Sequence, residues 1–222
     1  MPMNLNDLRL YLITDRSLFA GRNEFLNAVE NALTGGVKAL QLREKELPDS
    51  ELIELGQKLR SLTSNYDARL FINSRADIAE KIGADGVHLT EANGVDPTKT
   101  CPPAKELRRN FPDFFIGVST HSLEKAQQAE TDGADFITFS PIFDTPSKKA
   151  YGSPQGLDTL KKVVASVSLP VLALGGIKLD NADSVLDTGA FGAALITGIW
   201  NSSNINETTQ SFLEIFRRRH LL

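Results

Sequence analysis

A short pattern that recurs four times is the feature that most limits how this chain can fold. A glycine, one or two small or variable residues and a short apolar run occur at 35–42 (GGVKALQL), 83–89 (GADGVHL), 133–139 (GADFITF) and 189–195 (GAFGAAL). Successive repeats begin 48, 50 and 56 residues apart. One strand–helix unit of a parallel β/α protein takes about 25–30 residues, so each interval has room for two such units.

The intervals between the repeats supply additional strands. Four further apolar runs lie at 9–14 (RLYLIT), 69–73 (RLFIN), 114–119 (FFIGVS) and 169–176 (LPVLALGG). Amphipathic segments such as DSELIELGQKLRSL and GLDTLKKVVASV separate these runs, and several begin at a capping residue and end at a glycine. Eight alternating strands and helices predict a single-domain (β/α)8 TIM barrel over residues 1–222. A doubly wound sheet is the alternative, but it would not readily need eight similar strands.

Composition argues against several classes of function. The 222 residues carry 24 basic and 28 acidic side chains, and only 7% are aromatic, mostly Phe. We therefore expect no nucleic-acid partner, because such partners require a basic surface and stacking side chains. No apolar run reaches the roughly 18 residues of a membrane helix and the N-terminus resembles no export signal, so we expect a cytoplasmic protein with no membrane partner. The single cysteine and three histidines leave little room for a disulfide or a Cys/His metal site.

In a TIM barrel the active site lies at the carboxyl ends of the strands, so polar residues and glycines at those ends are the candidate site residues. They are Thr14, Asp15, Gln41, Arg43, Glu44, Lys45, Asn73, Ser74, His88, Ser119, His121, Ser140, Gly175, Gly176, Ile196 and Thr197.

Glycines after the predicted seventh and eighth strands are suited to a phosphate. Gly175-Gly176 and Thr197-Gly198 can present backbone N–H groups to an anion, because glycine lets the backbone approach it closely. The alternative is that these glycines only turn the chain.

The end of the predicted second strand is suited to another anion. Alternation along the strand places Gln41, Arg43 and Lys45 on one face. Two cations and an amide in a barrel mouth can bind a second anion such as a diphosphate. The alternative is a solvated charged loop that pairs with neighbouring acids.

The segment after the predicted sixth strand, residues 140–156, is long and rich in Gly, Pro and hydroxyl groups. Such loops often close on a ligand, and Thr145, Ser147 and Lys148 are the side chains that could contact a phosphate. A surface insertion without that role is the alternative. His121 follows the fifth strand, where it could transfer protons or serve only the structure, with Ser119 or Thr120 capping the next helix. We expect His88 to be a buried interior residue.

Taken together, five ordered segments resemble the thiamine phosphate synthase/TenI-like family over nearly the whole chain. They are LYLITDR, KALQLREK, LFINSRADIAEKIGADGVHL, IGVSTHSLEKAQQAETDGADFITFSPIFDTPSKK and LPVLALGGIKLDNADSVLDTGAFGAALITGI. The resemblance implies a barrel that acts on a thiazole phosphate. A synthase of this family joins it to an aminopyrimidine diphosphate and releases pyrophosphate, whereas a TenI-like relative tautomerises a carboxythiazole phosphate without a metal.

The resemblance also implies roles for individual residues. It assigns Gln41, Arg43 and Lys45 to the pyrimidine diphosphate and Asn73 to the pyrimidine. The remaining substrate-binding and phosphate-binding positions are Ser119, Thr145, Ser147, Lys148, Gly175, Gly176, Ile196 and Thr197. Lys148 and Ser119 are the catalytic candidates of a synthase, and His121 is the catalytic candidate of a tautomerase.

Two positions depart from the synthase pattern. The family's Mg²⁺-binding aspartates are replaced here by Ser74 and Asn93. Because Mg²⁺ prefers carboxylates, we expect a weakened Mg²⁺ site in a synthase and no cofactor in a tautomerase, unless Glu91 or Asp96 compensates. The retained diphosphate-binding residues favour the synthase. A non-catalytic sensor of a thiamine precursor is a third hypothesis, against which the full set of anion-binding groups argues, and homo-oligomerisation is left open.

Overall fold

The computed structural model describes residues 4–90, 102–145, 153–219 and 221. Its strands are β1 (Leu10–Ile13), β2 (Ala39–Leu42), β3 (Arg69–Asn73), β4 (Gly86–Leu89), β5 (Phe115–Thr120), β6 (Phe136–Phe139), β7 (Val171–Leu174) and β8 (Gly192–Leu195). Each strand pairs in parallel with the next, and β8 pairs with β1, so the sheet closes into a barrel. The predicted (β/α)8 barrel is confirmed, with strands up to four residues shorter than the apolar runs that predicted them.

Helices alternate with the strands around the barrel. They are α1 (Arg22–Thr34), α2 (Asp49–Asn65), α3 (Ala76–Ile82), α4 (Ala104–Asn110), α5 (Leu123–Thr131), α6 (Gly156–Ser166), α7 (Ala182–Leu186), α8 (Thr197–Trp200) and α9 (Ile205–Arg218). Short 3₁₀ helices span Leu5–Arg9 and Arg16–Leu18. No helix in these described ranges is long and apolar enough to cross a membrane.

One predicted helix cap is wrong. Ser119 and Thr120 are the last residues of β5, and the side chain that caps α5 is Ser122, which accepts a hydrogen bond from the Lys125 N–H at 3.3 Å. The strand runs one residue further than predicted, so the turn into the helix begins later. Both Ser119 and Thr120 therefore lie at the barrel mouth rather than at a helix start.

Alternation along the short strands divides the core into two layers. Leu12 and Leu40 pack outward against the helices, whereas Tyr11 and Ala39 pack inward. Inside the barrel, the rings of Tyr11, Phe71 and Phe136 contact one another edge-to-face at centroid distances of 5.4–5.5 Å. This aromatic layer fills the interior, so the mouth above it is shallow and floored by packed side chains.

Candidate active site

Gln41 at the carboxyl end of β2 is buried without a partner for its amide. It follows Ala39 on the inner face of the barrel and is 1% exposed. Among the described residues, its Nε2 has no hydrogen-bond acceptor. Leaving a buried amide without an acceptor costs about 1–3 kcal/mol. The side chain is therefore suited to an acceptor that a ligand brings.

Arg43 is the next residue on this face, and it is only half-buried. Its backbone N–H donates to Thr14 Oγ1 at 2.9 Å, which joins the ends of β1 and β2. Burial and then the positive charge of Arg43 lower the pKa of Lys45, so the two cations lie near each other. No carboxylate of the described residues pairs with the Arg43 guanidinium. An anion bound here would relieve this repulsion.

His88 is the centre of a buried hydrogen-bond network, as predicted for an interior residue. Its Nδ1 lies 3.3 Å from Tyr11 Oη, and its Nε2 lies 3.1 Å from Ser119 Oγ and 3.4 Å from Thr138 Oγ1. Burial, with the nearby charge of Arg43, lowers the pKa of His88 to about 3. The ring is therefore neutral at physiological pH, and it orients the Ser119 hydroxyl rather than carrying charge.

The end of β3 brings together neutral oxygen and amide groups. Asn73 Nδ2 donates to Ser74 Oγ at 3.2 Å, and Ser74 Oγ lies 3.4 Å from Thr90 Oγ1. Ser74 has φ 59°, a left-handed conformation that is uncommon for a residue with a side chain. Arg75 anchors the turn through ion pairs with Asp49 and Asp77.

This arrangement does not fit a Mg²⁺ ion held by the protein. Ser74 and Thr90 offer neutral hydroxyls where Mg²⁺ prefers carboxylates. Within the described ranges, no three His, Cys, Asp or Glu side chains cluster closely enough to hold a metal. Asn93, with Glu91 and Asp96, falls in 91–101, outside the described residues.

His121 is half-buried at the junction of β5 and β6. Its Nδ1 lies 2.7 Å from the backbone oxygen of Ser140 and 3.3 Å from Ser140 Oγ. Because a carbonyl only accepts, Nδ1 carries the proton, and Nε2 is the basic nitrogen of the neutral ring. The Gln155 side chain fixes the backbone further by donating to the His121 carbonyl at 3.0 Å. A histidine held in this way can accept a proton at Nε2.

The glycine pair after β7 packs closely against the segment that follows β6. Gly176 has φ +68°, and a Cβ built on it would lie 2.6 Å from Phe143 Cβ and 3.0 Å from the Asp144 oxygen. Phe143 N–H donates to the Gly175 carbonyl at 3.0 Å, so the segment that leads to Thr145 lies beside the pair. This packing alone requires glycine at 176, which agrees with the simpler turn hypothesis.

Several backbone N–H groups at this end nevertheless have no acceptor in the described part of the chain. No described residue accepts a hydrogen bond from the N–H groups of Gly176, Thr197 or Gly198. Thr197 is exposed, and Ile196 and Gly198 are half-buried. These amides can therefore serve an anion from solution. Ser147 and Lys148 lie in 146–152, outside the described residues, so their contacts stay predictions.

One structural link at the mouth was not predicted. Glu44 and Thr14 were candidates only by position, yet Glu44 is buried and accepts from the Arg16 backbone N–H. The alternation that turns Arg43 and Lys45 to one side turns Glu44 to the other. The alternation could be seen in the sequence, but the partner of Glu44 in the segment after β1 could not.

The described residues form a closed (β/α)8 barrel. Its mouth brings together two neighbouring cations, glycine N–H groups and a buried Gln41 Nε2, and these N–H groups and Nε2 have no acceptor among the described residues. These features define a barrel protein suited to phosphorylated small molecules. The chain belongs to the thiamine monophosphate synthase family, whose model matches residues 10–199.

Individual relatives agree over nearly their whole lengths. A Geobacter sulfurreducens protein, itself only provisionally named a thiamine-phosphate synthase, is 46% identical over 213 residues, 96% of each chain. The thiamine-phosphate synthase of Pyrococcus furiosus is 39% identical over 214 residues, 96% of this chain and 97% of the relative. The solved structure of thiamine phosphate pyrophosphorylase from Pyrococcus furiosus is 38% identical, with a TM-score of 0.85 over 97% of this chain and 98% of that chain.

Proposed function

We propose that this chain, as a single barrel domain over residues 1–222, is a thiamine-phosphate synthase. It joins an aminopyrimidine diphosphate to a thiazole phosphate and releases pyrophosphate. The observations that support the proposal lie at one barrel mouth: the neighbouring cations Arg43 and Lys45 after β2, and the N–H groups of Gly176, Thr197 and Gly198, from which no described residue accepts a hydrogen bond. We take these as two candidate anion-binding elements. A reaction between two phosphorylated molecules needs both, whereas a reaction on one phosphate needs only one.

The barrel topology sets the separation of the two elements. Arg43 follows β2 and Thr197 follows β8, and β1 is the one strand between them. Two strand spacings correspond to roughly 10 Å. That separation leaves room for a pyrimidine and a thiazole ring between two anionic groups.

The chemistry requires little covalent participation by the protein. The bond between the pyrimidine methylene carbon and the diphosphate oxygen breaks, and its electron pair leaves with pyrophosphate. The thiazole nitrogen lone pair then forms the new bond to carbon. The residues must stabilise charge on the leaving group, hold the partners in line and exclude water.

We assign roles to the residues from the resemblance and, where a residue is described, also from its position at the carboxyl end of its strand. Arg43 and Lys45 stabilise the leaving pyrophosphate, and Gln41 and Asn73 hold the pyrimidine. The hydroxyl of Ser119, oriented by His88, faces the same interior network. Further contacts to the phosphate groups come from Thr145, Ser147, Lys148, Gly175, Gly176, Ile196 and Thr197. No step is assigned to Mg²⁺, because the described residues at Ser74 do not fit one.

Product analysis tests this function. The purified protein is incubated with both phosphorylated precursors, with and without Mg²⁺, and the products are identified by mass spectrometry. We expect thiamine phosphate and pyrophosphate in equal amounts. In the cell, we expect this reaction to take place in the cytoplasm. Consumption of neither precursor would contradict the proposal.

A thiazole tautomerase is the second candidate, and His121 is the observation that favours it. Its Nδ1–H is committed to Ser140, so Nε2 can take a proton from a carboxythiazole phosphate and return one elsewhere on the ring. Three results together would favour this activity over the synthase. The protein would tautomerise the substrate without a metal, His121→Ala would abolish that reaction, and no condensation would be detected.

A further inference from the structure

We propose that Glu44 is a positioning residue that fixes the relative positions of the two candidate anion-binding elements of the mouth. One is the pair Arg43 and Lys45 after β2, and the other includes the N–H groups of Thr197 and Gly198. The proposal rests on the proposed synthase function for the identity of the substrates. It does not place Glu44 in contact with either substrate. Glu44 acts through Arg43 on one side and through the segment after β1 on the other.

The Glu44 carboxylate is the end point of a buried hydrogen-bond relay. Its side chain is 3% exposed, and its two oxygens lie 3.1 and 3.3 Å from the Arg16 backbone nitrogen. The Thr14 side chain also acts on Glu44 as a hydrogen-bonding group that lowers its pKa. Thr14 Oγ1 accepts the Arg43 N–H at 2.9 Å.

The direction of every bond in this relay is fixed by chemistry. An ionised carboxylate only accepts, so the Thr14 hydroxyl donates to Glu44 and its oxygen remains to accept from Arg43. The Arg16 N–H donates to the carboxylate from the opposite side. Glu44 therefore fixes the backbone of Arg43 and that of Arg16 at the same time.

The segment after β1 extends this link to the second anion-binding element. Phe19 packs edge-on against Trp200, with ring centroids 5.7 Å apart. Trp200 Nε1 donates to the Ile13 carbonyl at 2.7 Å. Trp200 ends α8, whose first residues are Thr197 and Gly198. One continuous set of contacts therefore connects Glu44 with Arg43 and with the exposed amides of α8.

The surroundings of Glu44 make its ionisation sensitive to pH near neutrality. Burial raises the pKa of Glu44 to about 7, against the hydrogen bonds from Thr14 and Arg16, and the carboxylates of Glu46 and Asp15 raise it further. The Arg16 Nε, 3.9 Å away, and the flanking cations Arg43 and Lys45 are the positive groups nearby. The relay requires the ionised form, so it weakens as the pH falls through about 7.

The same shift has an opposite effect on stability. The pKa of Glu44 is raised from its usual 4.5 to about 7 in the folded chain. Between these two pH values the folded state therefore binds more protons than the unfolded state. The resulting contribution to stability is present below about pH 4.5 and is lost as the pH rises through about 7. A buried carboxylate that costs stability where the relay is formed is kept for positioning rather than for folding.

Glu44→Gln tests the proposal, with Glu46→Gln as the matched control. Glu46 is a 58%-exposed neighbour that pairs with the Arg16 side chain at 3.0 Å. Its loss keeps the buried hydrogen bonds of Glu44 and only lowers the pKa of Glu44, by removing one nearby negative charge. We measure KM and kcat for both substrates between about pH 6 and 9, pyrophosphate affinity by calorimetry, and Tm. For Glu44→Gln we expect roughly a tenfold or greater loss of kcat/KM at pH 8, and weaker pyrophosphate binding. The pH profile of activity should be flatter near pH 7. The Tm of the variant should rise relative to that of the wild type as the pH increases.

A second pair of variants, at Thr14, tests the same positioning role even if Glu44→Gln does not fold. Thr14→Val removes the hydroxyl from the relay at nearly constant volume, and Thr14→Ser restores it. We expect the valine variant to reproduce the Glu44→Gln profile and the serine variant to recover most of the activity.

The outcomes separate this proposal from the proposed function. Unchanged KM, pH profile and pyrophosphate affinity in both Glu44→Gln and Thr14→Val would overturn the positioning role. If the wild type makes no thiamine phosphate but Glu44→Gln still weakens pyrophosphate binding, the positioning role stands and the synthase function falls. A wild type that binds no pyrophosphate and makes no product would overturn both.

Discussion

Gln41 and Arg43 are two residues apart on one side of β2, yet they differ in burial and in their hydrogen bonds. Gln41 is buried with its amide unpaired, a cost that the fold bears without compensation from the described residues. Arg43 is half-buried, its backbone N–H donates to Thr14 Oγ1, and no carboxylate of the described residues pairs with its guanidinium. Neither feature improves the packing of the barrel itself, and both are expected of groups that are proposed to bind a ligand.

Replacing Arg43 tests the diphosphate role at the scale of one side chain. Arg43→Ala removes a charge-assisted hydrogen bond worth about 1.5–3 kcal/mol, which corresponds to roughly a ten- to hundredfold loss of kcat/KM for the pyrimidine diphosphate. Arg43→Lys keeps the charge without the planar fork and should fall between the alanine variant and the wild type. Steady-state kinetics that find condensation unchanged in Arg43→Ala would show that the cations at the end of β2 do not bind the diphosphate.

At the scale of elements, the junction between β7 and the segment after β6 depends on Gly176. Its φ of +68° and the 2.6 Å approach of Phe143 Cβ exclude a side chain without local movement. The amides on either side of that junction are the proposed thiazole phosphate contacts. A change here should therefore act on one substrate more than on the other.

Gly176→Ala is matched by Gly83→Ala, because both glycines have φ +68° but a Cβ on Gly83 meets nothing within 4 Å. Both variants should lower Tm through the left-handed backbone, with the larger loss at Gly176. Only Gly176→Ala should also raise KM for the thiazole phosphate, by about tenfold or more. Equal effects of the two variants on that KM would remove the glycine pair from the phosphate site.

The elements also show which parts of the molecule could be predicted from sequence. The recurring glycines and the short apolar runs predicted eight strands, because those signals lie within or next to each strand. The capping of α5 by Ser122 depends on where β5 ends, a boundary that periodicity does not set. The Glu44–Thr14 relay depends on the stagger between β1 and β2, so no signal on β2 alone identified Thr14 as its partner.

For the molecule as a whole, Ser74 and Asn93 stand where the resemblance implies Mg²⁺-binding aspartates, so changing them tests whether condensation depends on a metal. Restoring Ser74→Asp and Asn93→Asp together supplies two carboxylates, the ligand type that Mg²⁺ prefers. In a synthase the double variant should need less Mg²⁺ for half-maximal condensation and turn over faster, and His121→Ala should cost little. Titration of Mg²⁺ against the condensation rate measures this. No gain in the double variant, with a hundredfold loss of tautomerisation in His121→Ala, would reverse the assignment.

The central claim is that one barrel mouth binds two phosphorylated substrates at two distinct elements. A crystal structure with thiamine phosphate and pyrophosphate bound together tests it most directly. We predict pyrophosphate at Arg43 and Lys45, and the phosphate of thiamine phosphate at the amides of Gly176, Thr197 and Gly198, roughly 10 Å apart. Both anions at the same element, or neither at the mouth, would contradict the claim.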